Sequence, residues 1–150
     1  NIDFMKKVGP EPLEADFTYA VFEGRMMRRK NSAIKAVLLD QTVLAGIGNI
    51  YADESLWGAK IHPDTKLVDV PIAKLRALHT EIIYVLKLSI EKGGSTDRNY
   101  VNAEGKRGSY IDFARVFRKE HAPCPRCSAE IIKIRSAGRG THLCPNCQKL

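Results

Sequence analysis

No run of apolar residues in this 150-residue chain reaches the roughly 18 needed to cross a bilayer as a helix, so a helical membrane span is excluded. Nothing repeats at a fixed period and no tract is of low complexity, which excludes solenoids and fibrous rods. No secretory leader pattern is visible, so a reducing, cytoplasmic setting is expected, in which disulfides are rare. Nucleophilic catalysis has no visible machinery: there is no Ser-His-Asp order in a suitable loop context, no phosphate-cradling P-loop and no convincing carboxylate pair. His62, His79, His121 and His142 show no ligand spacing with one another and are assigned no chemistry. The tyrosines are most simply packing residues. Acidic residues are the minority charge, 17 against 24 Lys and Arg, and the net charge of +7 favours a polyanionic partner.

Cysteine is absent from the body of the chain and then arrives four times, as Cys124-Pro-Arg-Cys127 and Cys144-Pro-Asn-Cys147. Each C-x-x-C turn brings two sulfurs to one side, and two turns at this separation close a tetrahedron around one Zn²⁺. Four protein thiolates leave no open coordination position. The expected metal is therefore structural, stiffening a segment too short to fold on a core of its own. Ile131 to Arg135 alternates as a strand does, Thr141 to Cys144 can pair with it, and Ser136-Ala-Gly-Arg-Gly140 forms the hairpin tip.

Upstream the pattern is helical. Val8-Gly-Pro-Glu-Pro-Leu13 cannot sustain a helix and reads as linker. A short helix capped by Asp16 is expected through Phe22, interrupted by Gly24 and followed by the basic cluster Arg25, Arg28, Arg29, Lys30 and Lys35. Asn31 or Ser32 is placed to cap a second helix through Asp40. A further helix spans Ile50 to Trp57 and ends near Gly58. Pro71 opens the longest helix, to about Glu91, with Leu75, Leu78, Ile82, Leu86 and Ile90 as its buried stripe and Gly93-Gly94 as its stop. From Ser95 to Tyr110 the chain is polar, and Ile111 to Phe117 is apolar enough to pack back on the helices.

Gly46-Ile-Gly-Asn49 leads directly into a helix. Free N–H groups at a helix start bind phosphate, and glycines allow close approach. Asn49 is placed either as the cap or as a phosphate-contacting amide. The alternative is a plain capped turn between two helices. Arg139, between two glycines, is either a groove- or phosphate-gripping guanidinium or a solvated loop residue.

The segment Leu39-Asp-Gln-Thr-Val-Leu-Ala-Gly-Ile-Gly-Asn-Ile-Tyr-Ala-Asp-Glu54 resembles the helix–two-turn–helix of the bacterial formamidopyrimidine-DNA glycosylase family. So do Gly93-Gly-Ser-Thr-Asp-Arg-Asn-Tyr-Val-Asn-Ala-Glu-Gly105, Val116-Phe-Arg118, the four-cysteine module with its Gly138-Arg-Gly-Thr141 tip, and the linker Gly9-Pro-Glu-Pro-Leu13. The resemblance runs end to end. It implies a mainly α fold, a helix–two-turn–helix bundle followed by a four-cysteine β-hairpin zinc finger. It divides the chain into an interdomain linker (1–15), a DNA-binding domain (16–118) and a zinc module (119–150).

The resemblance also implies a base-excision repair enzyme that everts 8-oxoguanine or formamidopyrimidines from damaged duplex DNA, excises them and cleaves the strand by β,δ-elimination. Lys35, Asn49 and Arg139 match its phosphate-contacting residues. Ser95, Thr96, Tyr100, Val101, Asn102, Gly105, Lys106, Arg107 and Tyr110 fall in its lesion-recognition loop, and Cys124, Cys127, Cys144 and Cys147 match its zinc ligands. The family's catalytic domain begins Pro-Glu-Leu-Pro-Glu, and its terminal proline amine is the nucleophile. This chain begins with Asn1, so it looks like the carboxy-terminal half alone, an expressed fragment or the product of a split gene. The expectation is a monomer that binds duplex DNA, contains no catalytic residue and does not cleave unaided. Two rivals stand beside it. One is half of an endonuclease VIII-type enzyme, against which the long Gly93–Tyr110 loop argues. The other is a non-enzymatic DNA- or ribosome-binding zinc protein.

Overall fold

The computed structural model describes residues 8–93 and 110–150. Among the described residues four α-helices precede a two-stranded antiparallel hairpin: α1 (Tyr19–Met26), α2 (Ile34–Leu39), α3 (Asn49–Ala59), α4 (Ile72–Glu91), β1 (Ile132–Ser136) and β2 (Arg139–Leu143). The helical core gathers Phe22 and Met26 from α1, Ile34, Val37 and Leu38 from α2, Ala52 and Leu56 from α3, and Leu75, Leu78, Ile82 and Leu86 from α4. Burial of these side chains outweighs the modest intrinsic propensity of such short helices.

The caps differ from the sequence expectation, for local reasons. Thr18, not Asp16, caps α1 by accepting from Val21 N at 3.2 Å, and Gly24 continues the helix. Neither Asn31 nor Ser32 caps α2. Its first N–H groups are taken instead by loop carbonyls, Ile34 N to Thr65 O at 2.8 Å and Lys35 N to Pro63 O at 3.2 Å. Those partners are some 30 residues away in sequence, outside the reach of any local rule. Helix α3 ends at Ala59, one residue past Gly58, on left-handed Lys60, and Gly58 leaves room for the Glu81 side chain. Ile90, expected in the α4 stripe, is 69% exposed, since the core beneath that helix ends at Leu86.

The two-turn segment between α2 and α3 is bound on three sides. The Gln41 side chain accepts from Gly46 N at 2.7 Å and donates to Ile47 O at 3.2 Å, and Gly46 turns at φ +84°. Arg25 donates to the carbonyls of Thr42 (2.6 Å) and Val43 (3.3 Å). From the other side Gly9 N donates to Gln41 O at 2.8 Å and Ala45 N to Pro10 O at 3.0 Å. Gly9 is required there, because a side chain would fall on the Val43 carbonyl. Gly9 and Pro10, read from the sequence as linker, are thus anchored against the turn they precede.

The hairpin register pairs Ile132 with Leu143 and Ser136 with Arg139, so Arg139 and Gly140 belong to a strand and the tip is Ala137-Gly138. Ala137 (φ +53°) and Gly138 (φ +72°) both lie in the left-handed region that two-residue hairpins use. Tyr110, at the edge of the expected loop and read as a packing residue, is fully buried: its hydroxyl donates to Glu54 at 2.7 Å and its ring meets Tyr51 edge-on. The remaining loop residues, Ser95 to Arg107, lie outside the described residues.

Candidate nucleic-acid interface and metal centre

The four cysteine sulfurs lie within 4.8 Å of one another, with Cys124–Cys147 at 4.0 Å and Cys127–Cys144 at 3.4 Å. Zinc–sulfur bonds of about 2.3 Å at tetrahedral angles require sulfurs about 3.8 Å apart, so the four fit one Zn²⁺. Burial pushes the Cys144 thiol up to about 12, while a hydrogen bond from Asn146 leads the effects that hold Cys127 down to about 6. A cation among them would make all four thiolates.

The surroundings suit that charge. Trp57 Nε1 donates to Cys124 Sγ at 3.3 Å, Arg126 Nε to Cys147 Sγ at 3.2 Å, and the Arg126 backbone N–H to Cys124 Sγ at 3.4 Å. Arg126 also lies 3.9 Å from the centre of the Trp57 ring and donates to Trp57 O at 2.7 Å. One arginine therefore offsets the thiolate charge and holds the metal knuckle on the end of α3. Gln148 adds a second tie. It accepts from Cys144 N at 2.8 Å and donates to Ile61 O at 3.0 Å.

The hairpin is in turn docked on the start of α3. This helix has Gly48 at its cap position and no side chain capping it, so the positive end of the helix is open to an anion. Asn49 is its first residue rather than its cap. Its Nδ2 donates to Gly140 O at 3.0 Å, and the amide keeps a second N–H for another acceptor. Arg139, one residue before Gly140, is exposed. Asn49, 90 positions before Arg139, therefore holds the Gly140–Thr141 peptide one residue beyond it, beside the exposed Gly46 and Gly48 of the turn.

Lys35 reaches the same peptide from beneath. Its side chain is wholly enclosed, with Nζ 2.7 Å from Asp53 Oδ1, 2.6 Å from Thr141 Oγ1 and 3.4 Å from Gly140 O. The contact with Asp53 is an ion pair without good hydrogen-bond alignment. Desolvation pulls the Lys35 ammonium below its ordinary pKa, against the pull of Asp53. Asp53 Oδ2 accepts from His142 N at 2.9 Å and faces His142 Nδ1 at 3.2 Å. Asp53 and His142 escaped the sequence reading. The only sequence signal for Asp53 is its place one turn after Asn49 on α3, facing the same side. His142, inward beside Thr141, had none.

The basic cluster is divided. Arg25 clamps the turn, and Arg29 pairs with Asp40 at 3.1 Å, so neither is a free surface charge.

Residues 8–100 match the model of the formamidopyrimidine-DNA glycosylase helix–two-turn–helix (H2TH) domain. The chain belongs to the formamidopyrimidine-DNA glycosylase family. Residues 123–150 match the zinc finger found in that glycosylase and in isoleucyl-tRNA synthetase, and the four-cysteine cluster is that finger. The chain is 48% identical over 144 residues to the formamidopyrimidine-DNA glycosylase of Streptococcus thermophilus and 49% identical to that of Streptococcus pneumoniae. These alignments take in 96% of this chain but 52% of each relative, so the chain spans about half the length of the curated relatives it matches, their H2TH and zinc-finger region. Among solved structures it superimposes on Lactococcus lactis Fpg bound to abasic-site DNA with a TM-score of 0.87 and 44% identity, covering 99% of this chain and 54% of that one. The same enzyme bound to Fapy-dG DNA gives 0.85 and 42% over the same shares. No helix among the described residues is long and apolar enough to cross a membrane.

Proposed function

We propose that this chain is the duplex-gripping region of a base-excision repair glycosylase and AP lyase that removes oxidised purines, and that it binds damaged DNA without cleaving it alone. The observation that carries the reading is the bond from Asn49 to Gly140 O, which sets the exposed Arg139 one residue away from an uncapped helix start. One phosphate can be held there by a guanidinium, a side-chain amide and backbone N–H groups together. The relatives' names and the damaged DNA in the Lactococcus complexes support the choice of lesion over the endonuclease VIII-type alternative and over a non-enzymatic role. In this reading residues 1–15 lead from an amino-terminal catalytic domain, 16–118 bind the duplex, 119–150 form the zinc module, and the 95–110 loop closes over the everted base from its anchored end at Tyr110. The protein acts as a monomer.

The test is borohydride trapping with a duplex carrying one 8-oxoguanine, run beside anisotropy measurement of binding over a potassium chloride series. Salt-sensitive binding with no covalent adduct is expected. A trapped adduct would place an attacking amine within these residues and overturn the division of labour. An absence of binding by folded, zinc-loaded protein would refute the reading itself.

A further inference from the structure

Lys35 is the one candidate DNA contact that the fold encloses completely, and its partner Asp53 is equally enclosed. A cation that no solvent reaches cannot meet a phosphate without the hairpin lifting away. Its neighbours describe another task. The Asp53 carboxylate joins three elements: it lies on α3, pairs with Lys35 on α2 and accepts from the His142 backbone on β2. Lys35 in turn donates to Thr141 Oγ1, and that hydroxyl donates to Arg139 O at 2.9 Å. The Gly140 carbonyl receives Lys35 from below and Asn49 from the side. The carbonyl of the exposed arginine and the carbonyl that follows it are therefore both held by groups that include one buried ion pair or lie beside it.

We propose that Lys35 and Asp53 are positioning residues, an internal ion pair that sets the hairpin on the helix pair so that Arg139 and Asn49 face the same phosphate, and that Lys35 itself never touches DNA. This rests on the phosphate-gripping role of Arg139 given above. A buried ion pair adds little net stability over an apolar pair of similar shape, which agrees with its use here for orientation. Breaking one partner alone would strand a buried charge, so the informative variant removes both charges together.

Duplex binding is measured over a potassium chloride series for the wild-type chain, Lys35→Met/Asp53→Asn, Arg139→Ala and the triple variant, with zinc content and circular dichroism confirming folding. Thr141→Val, alone and with Arg139→Ala, is the second route, since it keeps both charges and cuts only the hydroxyl link from Lys35 to the Arg139 carbonyl. The expectation is that Lys35→Met/Asp53→Asn and Thr141→Val each weaken binding about fivefold or more, the loss of a well-made hydrogen bond, yet add nothing once Arg139 is alanine. If the losses multiply instead, and the salt slope falls by a further ~0.9 in the triple variant, Lys35 makes its own phosphate contact and the proposal fails. Unchanged binding in both the charge-free pair and Thr141→Val also overturns it. Should Arg139→Ala alone have no effect, the phosphate reading fails. The positioning claim is then judged by the Arg139 and Gly140 amide resonances, which must shift in Thr141→Val if it is to survive.

Discussion

Replacing Glu54 by glutamine should cost this fold a large part of its stability, although the two side chains have the same shape. Glu54 is fully buried on α3. One oxygen accepts from the Tyr110 hydroxyl at 2.7 Å and from Arg115 N at 2.9 Å; the other accepts from Val116 N at 2.8 Å and Phe117 N at 3.1 Å. The Arg115 side chain adds an ion pair at 3.4 Å and a bond to the Glu54 backbone oxygen at 2.9 Å. Burial works against the Arg115 cation, but Glu54, followed by Tyr110 and Glu81, holds its pKa above the ordinary value. Burial likewise pushes the Tyr110 phenol far up, so it remains a donor across the working pH range.

A glutamine in either orientation turns its amide hydrogens toward existing N–H donors. It leaves at least one backbone N–H unpaired and the guanidinium without its carboxylate. Removing one partner of a buried charged pair costs about 3–5 kcal/mol. Tyr110→Phe, which removes one bond to a charged group, should cost only about 1.5–3 kcal/mol. Urea unfolding followed by fluorescence of Trp57, whose ring packs against Arg115 at 4.8 Å, measures both. With a slope of about 1.5 kcal/mol per molar, the Glu54→Gln midpoint should fall by roughly 2–3 M. A loss below about 1 kcal/mol with unchanged slope would refute the argument that this carboxylate anchors residues 115–117, the strip that leads into the zinc module.

Arg139→Ala should weaken binding to every duplex by a similar factor, about 1–2 kcal/mol, and flatten the salt slope by about 0.9; a changed sequence preference would instead indicate base contact. Cys144→Ser should release zinc and unfold the hairpin while sparing most of the helical circular dichroism, measured beside a colorimetric zinc assay; full helical loss would mean one shared core. The Asp40 carboxyl should titrate below its ordinary 3.8 by NMR, because the Thr42 hydroxyl at 2.6 Å, foremost, and the Thr42 N–H and Arg29 favour its charged form. Its folded pKa is depressed, so its contribution to stability is present above the unfolded value and is lost as pH falls through the folded one.

The zinc module was legible because its signal is local: four cysteines at fixed spacing admit few geometries, and they form one cluster. The long helix was legible from Leu75, Leu78, Ile82 and Leu86, which are all buried at helical spacing. Ile90 continued that period past the end of the core, which periodicity alone does not mark. The start of α2 was misread because its N–H groups are met by carbonyls of the loop after α3, and the cap residues nearby are not needed. Lys35 was found but its setting was not. A lysine in a basic cluster gives no sign that an aspartate 18 residues later and a threonine on a distant strand will enclose it.

That misreading bears on how charge should be read in this chain. A net charge of +7 suggests a surface drawn to polyanions, yet several of its cations are engaged by other groups of the fold. Lys35 answers Asp53, Arg115 answers Glu54 and Glu81, Arg29 answers Asp40, Arg25 clamps a turn, and Arg126 faces the thiolates. A bound zinc with four thiolates would itself add about −2 beside Arg126. Each internal ion pair removes an acid along with its cation, so the excess positive charge stays on the other groups, and well-placed groups add specificity to that general attraction. The structure brings an amide and a helix start together at Gly140, one residue from the exposed Arg139. Lys35 and Asp53, beneath the hairpin, are its brace. Neutralising a brace should therefore alter binding through geometry, whereas neutralising an exposed lysine such as Lys30 should alter it only through the salt-dependent long-range term.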